Sequence, residues 1–224
     1  MAVKGRGKRR RGGGVLKIMF GCIVLLLLAS VSAYALKMVS GYSGEWNLIL
    51  VNKNHKIPFN YSVDLIELSN GKKVDARIYP DLQAMFDDAR AAGLQLFVRD
   101  GYRTRDEQKA IMNDKIAAYE ADGYSKKEAK ALAKTYVAEP GTSEHELGLS
   151  VDINAESSGA SQDAVYQWLD ENAYKYGFIK RYPADKTDIT GIDNEPWHYR
   201  YVGYEAAKEM KEQNLCLEEY LQQR

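Results

Sequence analysis

The chain of 224 residues contains three histidines, His55, His145 and His198, and metal or acid–base chemistry must start with them. His55 stands in the polar stretch Asn52-Lys53-Asn54-His55-Lys56 and is expected at the surface. His145 stands in Ser143-Glu144-His145-Glu146-Leu147-Gly148, just ahead of an apolar strand that carries Asp152. His198 stands in Glu195-Pro196-Trp197-His198, at the start of a second strand. Two neutral imidazoles and one carboxylate are the usual protein share of a catalytic zinc, whose fourth position holds water. Glu195, three residues before His198, is then placed to act as a general base beside the metal. A blander reading stands next to this one. Each histidine could be half-buried with its hydrogen bonds met, and Asp152 could point to solvent, since strand side chains alternate. Only if it faces inward does a carboxylate between Val151 and Ile153 need a partner or a cation.

The elements that must position these residues are legible in outline. A strand advances ~3.3 Å per residue, so His145 and Asp152 meet only if the chain folds back between them. Gly148 supplies the freedom to do so. Trp46–Val51 is rich in β-formers and is predicted to be a strand. Asp64–Leu68 and Lys73–Ala76 predict a hairpin about Asn70-Gly71. Pro80 opens a helix with Leu82, Met85, Phe86 and Ala89 on one face, closed at Gly93. Leu94–Val98 alternates as a strand. Thr104 with Glu107, and Ser125 with Glu128, are capping-box pairs that start helices running to Ala121 and Val137. Leu149–Asn154 is a strand, and Ala164–Tyr176 a helix ended by Gly177. Phe178–Tyr182 and Trp197–Val202 are strands, and Tyr204–Gln213 and Leu217–Gln222 are helices. Strands and helices mix without a regular βαβ repeat, which predicts an α+β fold.

Three blocks, in order, carry a resemblance to a known family. Gly101-Tyr102-Arg103-Thr104 with Gln108 resembles the G-Y-R-[ST]-x-x-x-Q block of the VanY-type zinc D-alanyl-D-alanine carboxypeptidases. Ser143 to Asp152 resembles their S-x-H-x-x-G-x-x-x-D block, and Glu195 to His198 their E-x-W-H block. The resemblance extends from Pro80 to the C-terminus. It implies a small central antiparallel sheet with flanking helices, as in the wider group of LAS-type zinc peptidases. It further implies Zn²⁺ held by His145, Asp152 and His198, Glu195 as catalytic base, and Arg103 as the cation that stabilises the oxyanion. Ser143 and Gln108 become substrate contacts. The implied activity is removal of the terminal D-alanine from peptidoglycan stem pentapeptides. Two alternatives stay open: an L,D-carboxypeptidase or dipeptidase using the same blocks, and a non-catalytic, zinc-containing wall-binding domain. A serine mechanism is excluded. Ser69-Asn70-Gly71-Lys72 matches S-x-x-K formally, but it falls in the hairpin turn and no K-T-G follows.

The N-terminus indicates where such a domain works. Residues 1–14 are basic and Gly-rich, which predicts a solvated cytoplasmic arm. Ile18–Leu36 is a 19-residue stretch without charge, close to the ~20 residues that span a bilayer. We read 15–39 as a transmembrane signal-anchor helix, with the charges before it keeping the N-terminus inside. Ala33-Tyr34-Ala35 also offers a small-x-small cleavage site, which would give a secreted form. Residues 40–79 are then a linker and hairpin extension, and 80–224 the catalytic domain. The overall charge of zero is misleading. Residues 1–37 hold eight of the 31 basic residues and no acid, leaving 23 bases against 31 acids, a net of −8. An acidic exported part excludes nucleic acid as a partner, because phosphate binding needs clustered Lys and Arg. Cys22 and Cys216, the two cysteines, cannot form a disulfide framework. A monomer is expected.

Overall fold

The computed structural model describes Met1 and residues 45–224 except Ser158. The basic arm and the predicted anchor at 15–39 lie outside the described residues. Among the described residues no helix is long and apolar enough to cross a membrane.

A hairpin of β1 (Leu65–Glu67) and β2 (Lys73–Asp75) comes first and turns at Asn70-Gly71, where Gly71 takes φ +80°. Helix α1 (Tyr79–Ala91) follows with Pro80 in its first turn, and it buries the predicted face of Leu82, Met85, Phe86 and Ala89. Strand β3 (Leu96–Asp100) leads to α2 (Arg105–Ala121) and α3 (Lys126–Tyr136), and both predicted capping boxes are formed. After β4 (Ser150–Ala155) come α4 (Gln162–Asn172), β5 (Phe178–Lys180), β6 (His198–Tyr201), α5 (Tyr204–Gln213) and α6 (Leu217–Gln222). The four longer-range strands form one antiparallel sheet in the order β3-β4-β6-β5. This is the α+β architecture that the sequence predicts.

The sheet has two unlike faces. Val98, Val151, Ile153, Phe178, Tyr199 and Tyr201 turn to the helical side and join one core with the apolar faces of α1 and α4. Ser150, Asp152, His198 and Arg200 alternate with them and take the other side. Burying a Val, Leu or Ile side chain is worth about 1.5–3 kcal/mol. A one-residue slip of β4 would exchange Val151 and Ile153 for Asp152, so the apolar face sets the register of the polar one. A second cluster, Leu48, Ile179, Val202, Met210, Leu217 and Tyr220, ties the two C-terminal helices to the segment near residue 48.

Three elements differ from the sequence expectation. Trp46–Val51 is not a strand but a 3-10 turn, Trp46–Leu48, followed by unpaired extended chain. Its main chain is satisfied by a side chain instead of a neighbouring strand, since Arg200 Nη2 donates to the carbonyls of Asn47 and Ile49 at 3.0 and 2.9 Å. Strand β3 begins two residues later than predicted. Leu94 still belongs to the exit of α1, where its N–H reaches Ala89 O at 3.0 Å. The predicted helix to Tyr176 becomes a 3-10 turn at Ala173–Tyr176.

Gly101 shows how tightly the hairpin is seated. A Cβ built there would stand 2.3 Å from Lys73 O, the carbonyl that accepts the Tyr102 N–H at 2.6 Å. Gly101→Ala is expected to lower unfolding stability by about 1–3 kcal/mol, as forced overpacking does, measured by denaturant titration. An unchanged midpoint would contradict this account of the seat.

Candidate metal centre

The pairing of β4 with β6 sets Asp152 directly opposite His198. His145 reaches the same place from a 3-10 turn, Glu144–Leu147, that doubles the chain back before β4. The reversal happens at Gly148, as the sequence required, with φ +73°. A Cβ there would also press to 3.1 Å on Asp75 N, whose N–H donates to Gly148 O at 2.9 Å.

The resulting geometry suits a metal. His145 Nε2 lies 3.4 Å from Asp152 Oδ1, and His198 Nδ1 lies 3.0 Å from that same oxygen. One ligand atom from each of the three residues falls within 4.8 Å of the others. Zinc bonds of 2.0–2.2 Å in a tetrahedron put ligand atoms about 3.3 Å apart, so the donor set fits that ion. The tautomer of His145 is set from behind, because its Nδ1 is 2.7 Å from Gly101 O and carries the proton that this carbonyl accepts. All three side chains are buried.

Electrostatics point the same way. Burial pushes His145 down. Burial also opposes charge on His198, yet Asp152 and Glu144 raise it to about 9. A pocket that draws a proton so strongly onto a buried imidazole draws a divalent cation for the same reason. Burial would raise the Asp152 carboxyl, but the two histidines hold it well below the usual carboxylate range.

Around the triad lies a cavity of about 460 Å³, lined among others by Arg103, Gln108, Ser143, Tyr182, Glu195 and Trp197. Glu195 Oε2 stands 3.8 Å from His198 Nδ1. Burial is the main cause that pushes its carboxyl up to about 7, the value a base needs to work near neutrality. Arg103 is gripped on two sides. Its Nε donates to Asp100 Oδ2 at 2.7 Å and its Nη1 to Gln108 Oε1 at 3.0 Å, while Nη2 is 3.5 Å from Asp152 Oδ2. The ion pair with Asp100 therefore aims Arg103 into the cavity instead of competing with it. Gln108, buried, donates in turn to Ala138 O at 2.8 Å. Its amide is engaged on both sides, so it props Arg103 from the cavity wall. Ser143 is buried at the cavity edge, and His55 is exposed as predicted.

The structure adds residues that sequence reasoning missed. Strand β3 carries an irregularity between Val98 and Asp100, with Val98 opposite Ile153 and Asp100 opposite Asp152. Arg99 is the extra residue, and this bulge is what brings Asp100 beneath Arg103. Glu144, fully buried, accepts from Arg181 Nε and Arg200 Nη1 at 2.8 Å each, and from Ser150 Oγ at 3.1 Å. Arg181 also forks onto Glu218 of α6 at 2.9 and 2.7 Å. The two-residue period of β6 places Arg200 on the face of His198 and could have flagged it. Nothing local marks Arg181 or Glu218. Tyr199 and Tyr201 are buried on the apolar face.

Comparison with known proteins agrees with this geometry. The family model VanY, D-alanyl-D-alanine carboxypeptidase, matches residues 71–204. A D-alanyl-D-alanine carboxypeptidase of Enterococcus faecalis (strain ATCC 700802 / V583) is 58% identical over 181 residues, covering 81% of this chain and 68% of that protein. Among solved structures, VanYB in complex with D-alanine-D-alanine superposes with a TM-score of 0.78 at 58% identity, covering 80% of this chain and 98% of that one. A mutant of the vancomycin-resistance D,D-pentapeptidase VanY in complex with Zn(II) gives 0.77 at 59% identity, covering 79% and 99%. The LD-carboxypeptidase LdcB is more distant, with a TM-score of 0.67 at 38% identity, covering 79% and 86%.

The buried charge cluster makes stability depend on acid. Burial would raise the Glu218 carboxyl, but Arg181 holds it below the usual range. Its contribution is thus full above the unfolded value of about 4.3 and is lost as pH falls through the lower folded value. Glu218→Gln is expected to cost about 3–5 kcal/mol at pH 7, because Arg181 keeps a buried charge with one partner fewer. The variant should also lose part of the wild-type decline in stability below pH 4 in denaturant titrations.

Proposed function

Because the chain belongs to the VanY family of D-alanyl-D-alanine carboxypeptidases, we infer that it is a zinc-dependent D,D-carboxypeptidase that removes the terminal D-alanine from peptidoglycan stem pentapeptides. One observation carries this reading beyond a mere zinc site. Glu195 and Arg103 line the same cavity as His145, Asp152 and His198, and neither is needed to hold a metal. Both are needed to break an amide, which disfavours a non-catalytic wall-binding domain.

Zinc held by the triad supplies a Lewis acid that acidifies water and polarises a carbonyl. Glu195 accepts a proton from the attacking water, and its raised pKa lets it return that proton to the departing amine of D-alanine. Arg103 donates to the scissile carbonyl oxygen as negative charge grows there. Its two rigid contacts keep that donor oriented before the reaction begins. Ser143, at the cavity edge, is placed to contact the peptide. The greater likeness to the complex with D-alanine-D-alanine than to the LD-carboxypeptidase supports D,D over L,D cleavage.

The site draws every group from one chain, so we propose that the enzyme acts as a monomer. We also propose that residues 15–39 anchor it in the membrane with the catalytic domain outside. Wall peptides are met there, and the basic residues 1–14 stay in the cytoplasm. Release into the medium after cleavage near Ala35 is the competing outcome. Alkaline extraction of membranes separates the two, since an anchored chain stays in the pellet.

Full-length protein in detergent should release D-alanine from a synthetic stem pentapeptide, stop on addition of a chelator and resume with zinc. Release from the tetrapeptide alone would make the enzyme L,D instead. Glu195→Gln should keep its zinc and lose about 10²–10⁴-fold in kcat. Arg103→Ala should lose about 10²–10³-fold. Full activity in Glu195→Gln would remove Glu195 from the reaction.

A further inference from the structure

The two metal-facing imidazoles are held from behind in different ways. His145 uses a main-chain carbonyl, Gly101 O, at 2.7 Å. His198 turns Nδ1 toward Asp152, and its other nitrogen, Nε2, is buried with no hydrogen-bond partner at ordinary distance. The carboxylate that faces this nitrogen is Glu144, with Oε2 at 3.5 Å. For Nδ1 to offer a lone pair to a metal, the ring proton must sit on Nε2. A buried N–H without an acceptor is costly, and Glu144 Oε2 is the acceptor in reach.

The rest of the cluster divides the work of that carboxylate. Oε1 takes both guanidinium contacts, from Arg181 and Arg200 at 2.8 Å each. Oε2 takes only the Ser150 hydroxyl, at 3.1 Å, and so keeps a lone pair for the imidazole. The two arginines are themselves fixed from outside the site. Arg181 is forked onto Glu218, and Arg200 binds the carbonyls of Asn47 and Ile49.

We propose that Glu144 is a positioning residue for the metal: its Oε2 accepts the Nε2 proton of His198 and so selects the tautomer whose Nδ1 faces the zinc. The assignment rests on the zinc reading above. It differs from a merely structural ion cluster in one respect. In a structural cluster, removing the charge of Glu144 or of Glu218 has the same kind of effect. In a positioning cluster only Glu144 governs the metal. A glutamine at 144 would turn its carbonyl to the two arginines and its amide N–H to His198 Nε2, which reverses the polarity and favours the wrong tautomer.

The test is zinc affinity by competition with a chromogenic chelator, on the full chain in detergent, for wild type, Glu144→Gln and Glu218→Gln. Nitrogen-15 histidine spectra of the zinc-loaded wild type accompany it. Glu144→Gln is expected to bind zinc about 10–100-fold more weakly, as loss of such an outer partner does. Glu218→Gln is expected to be less stable yet to bind zinc within about twofold of wild type, because Glu218 reaches the site only through Arg181, its other partner being Asn52. The wild-type spectrum is expected to show His198 protonated on Nε2. Unchanged zinc affinity in a folded Glu144→Gln, or a His198 protonated on Nδ1, would overturn the assignment. Should Glu144→Gln not fold, the Nε2 proton resonance of the zinc-loaded wild type decides: a strong downfield displacement, as for an N–H held by a carboxylate, supports the assignment, and the resonance of an N–H without an acceptor overturns it. A wild type that binds no zinc would overturn the zinc reading together with this one, whereas normal wild-type binding with an unaffected Glu144→Gln overturns this one alone.

Discussion

The antiparallel pairing of Ser150–Ala155 with His198–Tyr201 is the constraint on which the site depends. It sets Asp152 opposite His198, and it does so because Val151 and Tyr199, one step along each strand, are buried in the core on the reverse side. Apolar burial is non-directional, but a strand converts it into direction through its two-residue period. The energy that seats the core thereby also fixes which side chains face the cavity. Three strands contribute to one polar row, since the bulge at Arg99 brings Asp100 opposite Asp152 as well.

A buried polar face needs charges that answer one another. Asp152 and Glu144 are deep carboxylates, and alone each would be driven to protonate. They remain ionised because Arg103, Arg181, Arg200 and the two histidines surround them. The balance is left open at two points. His198 is drawn toward a cation, and burial pushes the Glu195 carboxyl up to about 7. One network thus presents a metal seat and a proton acceptor side by side, which is the pairing that hydrolysis of an amide requires.

Rigidity comes from backbone contacts that a side chain would block. The Gly101-Tyr102-Arg103 segment is clasped by Lys73 O on one side and by the 143–148 turn on the other, where the Arg103 N–H donates to His145 O at 3.2 Å and Gly101 O meets His145 Nδ1. A hairpin read from the sequence as an extension is thus packed against the loop that carries the arginine. Val74 and Ile78 of that region are fully buried in the main core.

The sequence by itself determined the elements whose signals are local. The two capping boxes, the apolar face of Leu82, Met85, Phe86 and Ala89, and both terminal helices needed only neighbours three or four residues away. Histidine is rare in this chain, so its three positions also narrowed the metal ligands, and the spacing to Gly148 foretold the fold-back. Other features depended on residues far apart in the chain. Trp46–Val51 has strand composition but lost its strand to the guanidinium of Arg200, about 150 positions on. The bulge at Arg99 is a matter of pairing with β4, which no residue of β3 announces. Arg181, Glu144 and Glu218 each look like ordinary surface charges in sequence. Only packing removes the water around them, and only without water do their charges have to meet.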